Sequence, residues 1–342
     1  MFSHRHLCFH EASWLPVLIA GAFALSFNAS AIIDANSSSN TNAPTDGSPW
    51  SNVGAVNGAS SVYLGGGWVL TASHVGVGSV YFNNISYAPD GSSLRLTNSD
   101  GSVTDLIMFH LVAYPPLPGL PVASSTPSFF SQIDMIGHGF IAGSPQTTFG
   151  NYTGFSWSAA QFKSWGNNKV DLGGTMTINI GYGTLTAYTT DFTSPGTIGP
   201  TSQTSDEGQV APGDSGGGVF QMNGSSWELV GLLDAELYFT NQPASTSVYG
   251  DGTYVADVAT YRSQIVSVLA ASPVPNLSVA TSGNSVLVCW PDTGVSYKLE
   301  STTSLNPASW VSASQSQSAG NGRICVEVPA TGASQYFRLQ AP

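Results

Sequence analysis

Positive charge is what the chain lacks most. Eight Lys and Arg stand against 20 Asp and Glu among 342 residues, a net charge of −12. No basic surface can neutralise a phosphate backbone, which excludes nucleic acid as a partner. Charged residues of either sign are only 8%, against roughly 25% in an average soluble protein, so Ser, Thr, Asn and Gly must carry solubility. Cysteine is almost absent: Cys8 lies near the start and only Cys289 and Cys325 follow. Two cysteines without a neighbouring histidine cannot supply the four ligands of a structural zinc site. No apolar run approaches the ~18 residues of a membrane-crossing helix. Long helices of any kind are excluded by 38 glycines and 20 prolines spread along the chain, which break it too often.

What remains can fold. Hydrophobic residues are 42% and aromatics 11%, enough for a buried core. Leu15 to Phe27 is mostly apolar and runs into Asn28-Ala29-Ser30-Ala31, where the small residues at Ala29 and Ala31 form a cleavage signature. Residues 1–31 therefore read as a signal peptide, the mature protein as secreted or extracytoplasmic, with no membrane span once the leader is removed. In that oxidising setting Cys289 and Cys325 are expected to form a disulfide.

After the leader, Asp34 to Pro49 is rich in Ser, Asn, Thr and Pro and reads as an extended surface segment. Short strand patterns follow at 61–64, 68–71, 103–112, 132–137, 184–190, 218–222 and 226–233. Thr175 to Ile180 alternates strictly, which would bury Met176, Ile178 and Ile180 on one face. Many short strands closed by turn residues mean barrels or sandwiches. One helix is expected, Val255 to Ala271, stopped by Ser272-Pro273. The predicted organisation is a large all-β domain over 32–272, a linker at 273–275 and a small β domain over 276–342.

Chemistry concentrates at Gly213-Asp214-Ser215-Gly216-Gly217. A glycine-rich turn lets backbone N–H groups approach a substrate carbonyl, with Ser215 as nucleophile and the N–H groups of Gly213 and Ser215 as the oxyanion hole. Serine needs a base, and outside the leader the histidines are His74, His110 and His138. No histidine follows His138, so an α/β-hydrolase order, with histidine after serine, is excluded. The order left is His, Asp, Ser.

His74 ends Trp68-Val69-Leu70-Thr71-Ala72-Ser73-His74, and Asp105 opens Asp105-Leu106-Ile107-Met108-Phe109. With the Ser215 turn, these segments resemble the trypsin-like (chymotrypsin-fold) serine peptidases, of the secreted bacterial type, over roughly 32–272. The resemblance implies two Greek-key β-barrels with a closing helix, a polypeptide substrate, no cofactor and no metal. It makes His74 the base, Asp105 its orienting acid and Ser215 the nucleophile. It also implies that Asp214 pairs with the amine of a new N-terminus at Ile32-Ile33, and that Gln209 forms the base and Asp234 and Glu236 the wall of the substrate pocket. His110 and His138 read as structural. The tail resembles small immunoglobulin-like sandwiches, a module for stability or for cell-surface or glycan attachment. The competing readings are a catalytically inactive peptide-binding protein on this scaffold and a surface-adhesion protein.

Overall fold

The computed structural model describes residues 32–35, 40–171, 174–271, 277–292, 297–320, 323–330 and 334–340, excluding the side chains of 144–146. The leader and the linker at 273–275 lie outside the described residues.

The fold is all-β, built from antiparallel sheets and one helix. In spatial order the first sheet is Ile85–Tyr87, Val80–Phe82, Val53–Val56, Ala59–Gly65, Trp68–Ala72, Val103–Leu111 and Pro89–Thr97. Its two edge strands are separated in sequence by Ala88 alone, so the edges must meet and the sheet curls into a barrel. The second sheet runs Ser164–Lys169, Gln132–Gly137, Gly218–Asn223, Ser226–Leu237, Gly252–Asp257, Thr184–Asp191 and Met176–Asn179. It curls likewise, because Val170, just past one edge strand, bridges Thr190 beside the other edge. This is the two-barrel, all-β architecture that the trypsin-like resemblance implies. Phe140–Phe149, Tyr152–Gln161 and Thr246–Val248 form a further three-stranded sheet.

No cysteine joins the barrels, and one apolar core does instead. Val62, Leu64, Leu70, Leu106 and Met108 of the first barrel cluster with Ile136, Phe220, Leu229 and Leu232 of the second. The helix, Val258–Ala271, starts three residues later than the sequence pattern suggests. Asp257 ends the preceding strand and caps it, accepting from the N–H of Ala259 (3.3 Å) and the hydroxyl of Thr260 (3.0 Å). From the second barrel the helix grips the first: Tyr261 donates to Asn98 (2.9 Å) and Gln264 to the carbonyl of Thr97 (2.7 Å).

Two expectations are corrected. The segment 34–49 is a surface segment only in part: Asn42, Ala43, Thr45, Asp46 and Gly47 are exposed, whereas Asp34, Asn40 and Ser48 are buried, as are Ile32 and Ile33 just before it. Ile33 pairs with Gln209, and Asn40 donates to the carbonyls of Ile32 (3.0 Å) and Trp165 (2.7 Å). Alternation at Met176–Asn179 buries only Ile178, whereas Met176 is exposed. That strand is the edge of its sheet and has little to cover its face.

The tail forms a four-stranded and a three-stranded sheet enclosing Val288, Trp290, Leu299, Val326 and Val328. The Cys289–Cys325 disulfide is present. It links directly opposed residues of adjacent strands in one sheet, whereas the immunoglobulin hallmark joins two sheets. The bridge closes a 36-residue separation, which should restrain the unfolded tail by on the order of 3–4 kcal/mol. Paired Cys289→Ser and Cys325→Ser replacement is therefore expected to lower the denaturant midpoint of tail unfolding. An unchanged midpoint would show that the bridge contributes nothing.

Candidate active site

His74 lies just beyond the strand Trp68–Ala72, which pairs with the strand carrying Asp105. The register puts Ala72 opposite Leu106, so the residues that follow pass Asp105. Asp105 is fully buried and holds His74 twice: its Oδ2 lies 2.6 Å from His74 Nδ1, and its Oδ1 accepts the His74 backbone N–H at 2.9 Å. This fixes the tautomer, with the proton on Nδ1 and Nε2 left as a free base. Burial lowers the imidazole's basicity, but the Asp105 hydrogen bond and the charges of Asp105 and Asp234 outweigh it, and the net shift is upward. Tyr182, itself exposed, lies against the ring at 5.1 Å.

The Ser215 turn is wedged between the barrels. Ser60 of the first barrel donates from its hydroxyl to the Gly213 carbonyl (2.8 Å) and from its N–H to the Ser215 carbonyl (3.0 Å). The same hydroxyl accepts the His138 N–H at 2.7 Å. At Gly216, with φ +84°, a Cβ would lie 2.2 Å from both the Ser60 carbonyl and Thr71 Oγ1, so only glycine lets the turn come this close. Gly213 has φ +99°. The N–H groups of Asp214, Gly216 and Gly217 are spent on Ala211, Leu233 and Asp214 carbonyls. Those of Gly213 and Ser215 have no acceptor among the described residues. Ser215 Oγ itself donates to the Asp234 carbonyl at 3.3 Å, so His74 and Ser215 are neighbours of Asp234 without a direct hydrogen bond between them.

A cavity of 310 Å³ opens beside Ser215, lined among others by Val210, Leu233, Asp234, Glu236 and Tyr238. Two carboxyls thus line a mostly apolar pocket. Burial pushes Glu236 up to about 8, helped by the charge of Asp251. Burial, then the charge of Asp105, pushes Asp234 up to about 7 against the opposing effect of His74. Gln209 does not line this cavity. Its amide donates to the Gly252 carbonyl (2.7 Å) and accepts from Thr253 (3.3 Å), fixing it inside the barrel.

Asp214 and Ile32 are engaged separately. The Ile32 N–H donates to Ser164 Oγ, while Asp214 Oδ2 accepts the Ala211 N–H at 2.9 Å. The Asp214 carboxyl lies against Gly137 and Gly139, where any Cβ would approach it to 2.1 and 2.8 Å. Burial and the charge of Glu236 raise its pKa well above the usual carboxylate range, against the N–H groups of Ala211 and Gly139. The chain as described therefore lacks the expected pairing, because Ile32 continues into the preceding residue and its nitrogen is an amide.

His110 is held by Asp90 (2.7 Å) and the Gly66 carbonyl (3.0 Å). His74, Asp105 and Asp234 place ligand atoms within 4.8 Å of one another, a spacing compatible with a cation, although Nδ1 is already committed to Asp105. Ser60 and the closeness of Asp234 to the His74–Asp105 pair are site features that sequence reasoning missed. No local motif marks either one.

No protein-family model matches the chain, and no curated protein matches it in sequence. Among solved structures it is similar to an inactive alanine mutant of Rv3671c from Mycobacterium tuberculosis H37Rv, at 14% identity and TM-score 0.41 over 71% of this chain and 98% of that one. It is also similar to kallikrein-related peptidase 10 in complex with Zn2+, at 15% identity and TM-score 0.40 over 67% and 98%. A third is the inactive murine norovirus NS6 protease, at 15% identity and TM-score 0.37 over 61% and 93%. All these likenesses lie below a TM-score of 0.5, and the strand topology defines the fold independently of them.

Proposed function

We propose that the protein is a secreted serine endopeptidase that hydrolyses peptide bonds through His74, Asp105 and Ser215 and an acyl-enzyme intermediate. The observation that carries this reading is the doubly held His74–Asp105 pair set at the barrel junction beside a glycine-bound serine and a 310 Å³ cavity. For the reaction, Ser215 Oγ must leave the Asp234 carbonyl and hydrogen-bond to His74 Nε2. The hydroxyl proton then passes to Nε2 as Oγ attacks the substrate carbonyl, and the imidazolium later gives that proton to the leaving amine. The unspent N–H groups of Gly213 and Ser215 are the donors for the oxyanion. The disulfide and the leader signature support an extracytoplasmic site of action. Among the described residues no helix is long and apolar enough to cross a membrane.

The inactive peptide-binding reading draws on one observation, the Ser215 hydroxyl's bond to Asp234 instead of His74. Cleavage of a peptide library by the secreted protein decides between the two. Turnover that disappears in Ser215→Ala supports the enzyme, and binding without turnover supports the alternative.

Two pH effects follow. His74 must be neutral to act as base, and its pKa is raised above 6.5. Activity should therefore hold above that raised value and fall about tenfold per pH unit below it. A flat profile to pH 4 would contradict the assignment. At neutral pH Glu236, near 8, is mostly protonated, and Asp234, near 7, is about half ionised, so the pocket is well short of its full negative charge and neutral side chains should be accepted. Cleavage after Lys or Arg, relative to a neutral residue, should rise several-fold between pH 6.5 and 9, and Glu236→Gln should flatten that rise. A preference that does not change with pH would remove Glu236 from the pocket.

A further inference from the structure

Asp234 stands out among the groups that the proposed chemistry leaves unused. It is 3% exposed, and neither carboxyl oxygen has a hydrogen-bond partner among the described residues. A buried carboxyl without partners is costly unless something nearby uses it. Its location supplies the use. The carboxyl sits with Asp105 and His74 in a cluster whose functional atoms lie within 4.8 Å of one another, while its carbonyl accepts the Ser215 hydroxyl. The backbone fixes this placement. The register of Ser226–Leu237 against Gly252–Asp257 shifts between Leu233 and Ala235, and the irregularity falls on Asp234, as bulges re-aim side chains. The preceding Leu233 exchanges backbone hydrogen bonds with the Ser215 turn, donating to Gly217 (2.8 Å) and accepting from Gly216 (2.8 Å). Strand, turn and carboxyl therefore form one rigid piece.

We infer that Asp234 is a positioning residue, a second carboxyl that acts on His74 alongside Asp105 and tunes the basicity of the imidazole. This inference rests on the peptidase reading for its consequence in catalysis, though not for its geometry. The charged and titratable groups facing Asp234 are His74 beyond its strand, Asp105 on the neighbouring first-barrel strand, Tyr261 on the helix, and Glu236 two residues along in the same cavity. Two carboxyls this close to one imidazole share protons. When His74 is charged, Asp234 is favoured as an anion; when His74 is neutral, Asp234 is favoured as an acid. The pair then titrates in two coupled steps that belong to neither residue alone. The buried carboxyl's rise to about 7 agrees with this.

The test is an NMR titration of the His74 imidazole in the full chain, in Ser215→Ala and in Ser215→Ala/Asp234→Asn. With Asp234 present, the titration should spread over two steps. In the asparagine variant it should collapse to one step with its midpoint lower by about one pH unit, because a neighbouring negative charge has been removed. Superimposable single-step curves would overturn the inference. If Asp234→Asn does not fold, Asp234→Ser is read in the same way. Fluorophosphonate labelling of the unmodified chain across pH separates the two levels of the argument. Absence of labelling refutes the peptidase reading while the imidazole titration still decides whether Asp234 acts on His74. Labelling whose acid limb is identical with and without Asp234 refutes the inference alone.

Discussion

Ser215→Ala and His74→Ala should each reduce peptide turnover by about 10⁶-fold, and the double variant should be scarcely worse than either single one. Nucleophile and base act as one unit, so removing one leaves the other without a task. Residual activity of about 10³–10⁴ over water would come from the Gly213 and Ser215 N–H groups and from substrate binding. Folding should survive in Ser215→Ala. Ser215 is only half-buried, and its one side-chain bond is a 3.3 Å contact to Asp234. The contacts that seat the turn come from backbone atoms and from Ser60. Near-normal turnover in Ser215→Ala, measured on the best library peptide with the unfolding midpoint unchanged, would remove this serine from the reaction.

Asp105→Asn should cost about 10⁴ in turnover with little effect on substrate binding. Asp105 accepts from both the ring and the backbone of His74. An amide at this position can offer one oxygen to one of those donors and must turn its NH2 toward the other. Facing the ring, that NH2 imposes the tautomer protonated on Nε2, which cannot take a proton from Ser215. The carboxylate also stabilises the imidazolium, and the amide does not. The loss should therefore appear in kcat with KM nearly unchanged. A variant that loses binding instead would mean that Asp105 holds the cleft open without orienting the base. Asp234 remains beside His74 in this variant, so its residual rate should depend on pH differently from that of the parent.

The parts of the fold and site that were legible in the sequence are those set by local chemistry. Strand patterns such as Val103–Leu111 and Gln132–Gly137, the helix before Ser272-Pro273 and the disulfide between the two remaining cysteines all follow from periodicity, turn residues and counting. His74, Asp105 and the Ser215 turn stood out because each carries a motif and their chain order excludes other arrangements. The illegible parts depend on which strand meets which. Ser60 is an ordinary serine until the barrels bring it under Gly213 and His138. Asp234 reads as a pocket-wall residue, and only the shifted register at Leu233/Ala235 explains its place beside Asp105. Gln209 sits at the expected distance before the serine, but its strand pairs with Ile33, leaving its amide to Gly252 and Thr253. The polar segment after the leader looked solvated because its composition is hydrophilic. Most of its described residues after Asn40 are indeed exposed, but Asn40 is drawn in because it donates to the carbonyls of Ile32 and of Trp165 on a second-barrel strand.

The central claim is that Ser215 is a nucleophile activated by His74. It is tested most directly by treating the protein with a fluorophosphonate at pH 8 and mapping the adduct by peptide mass spectrometry. A single phosphonyl group on the peptide containing Ser215, formed rapidly in the parent and absent or greatly slowed in His74→Ala, is the expected result. Labelling at another residue, or labelling of Ser215 at the same rate without His74, would contradict the account.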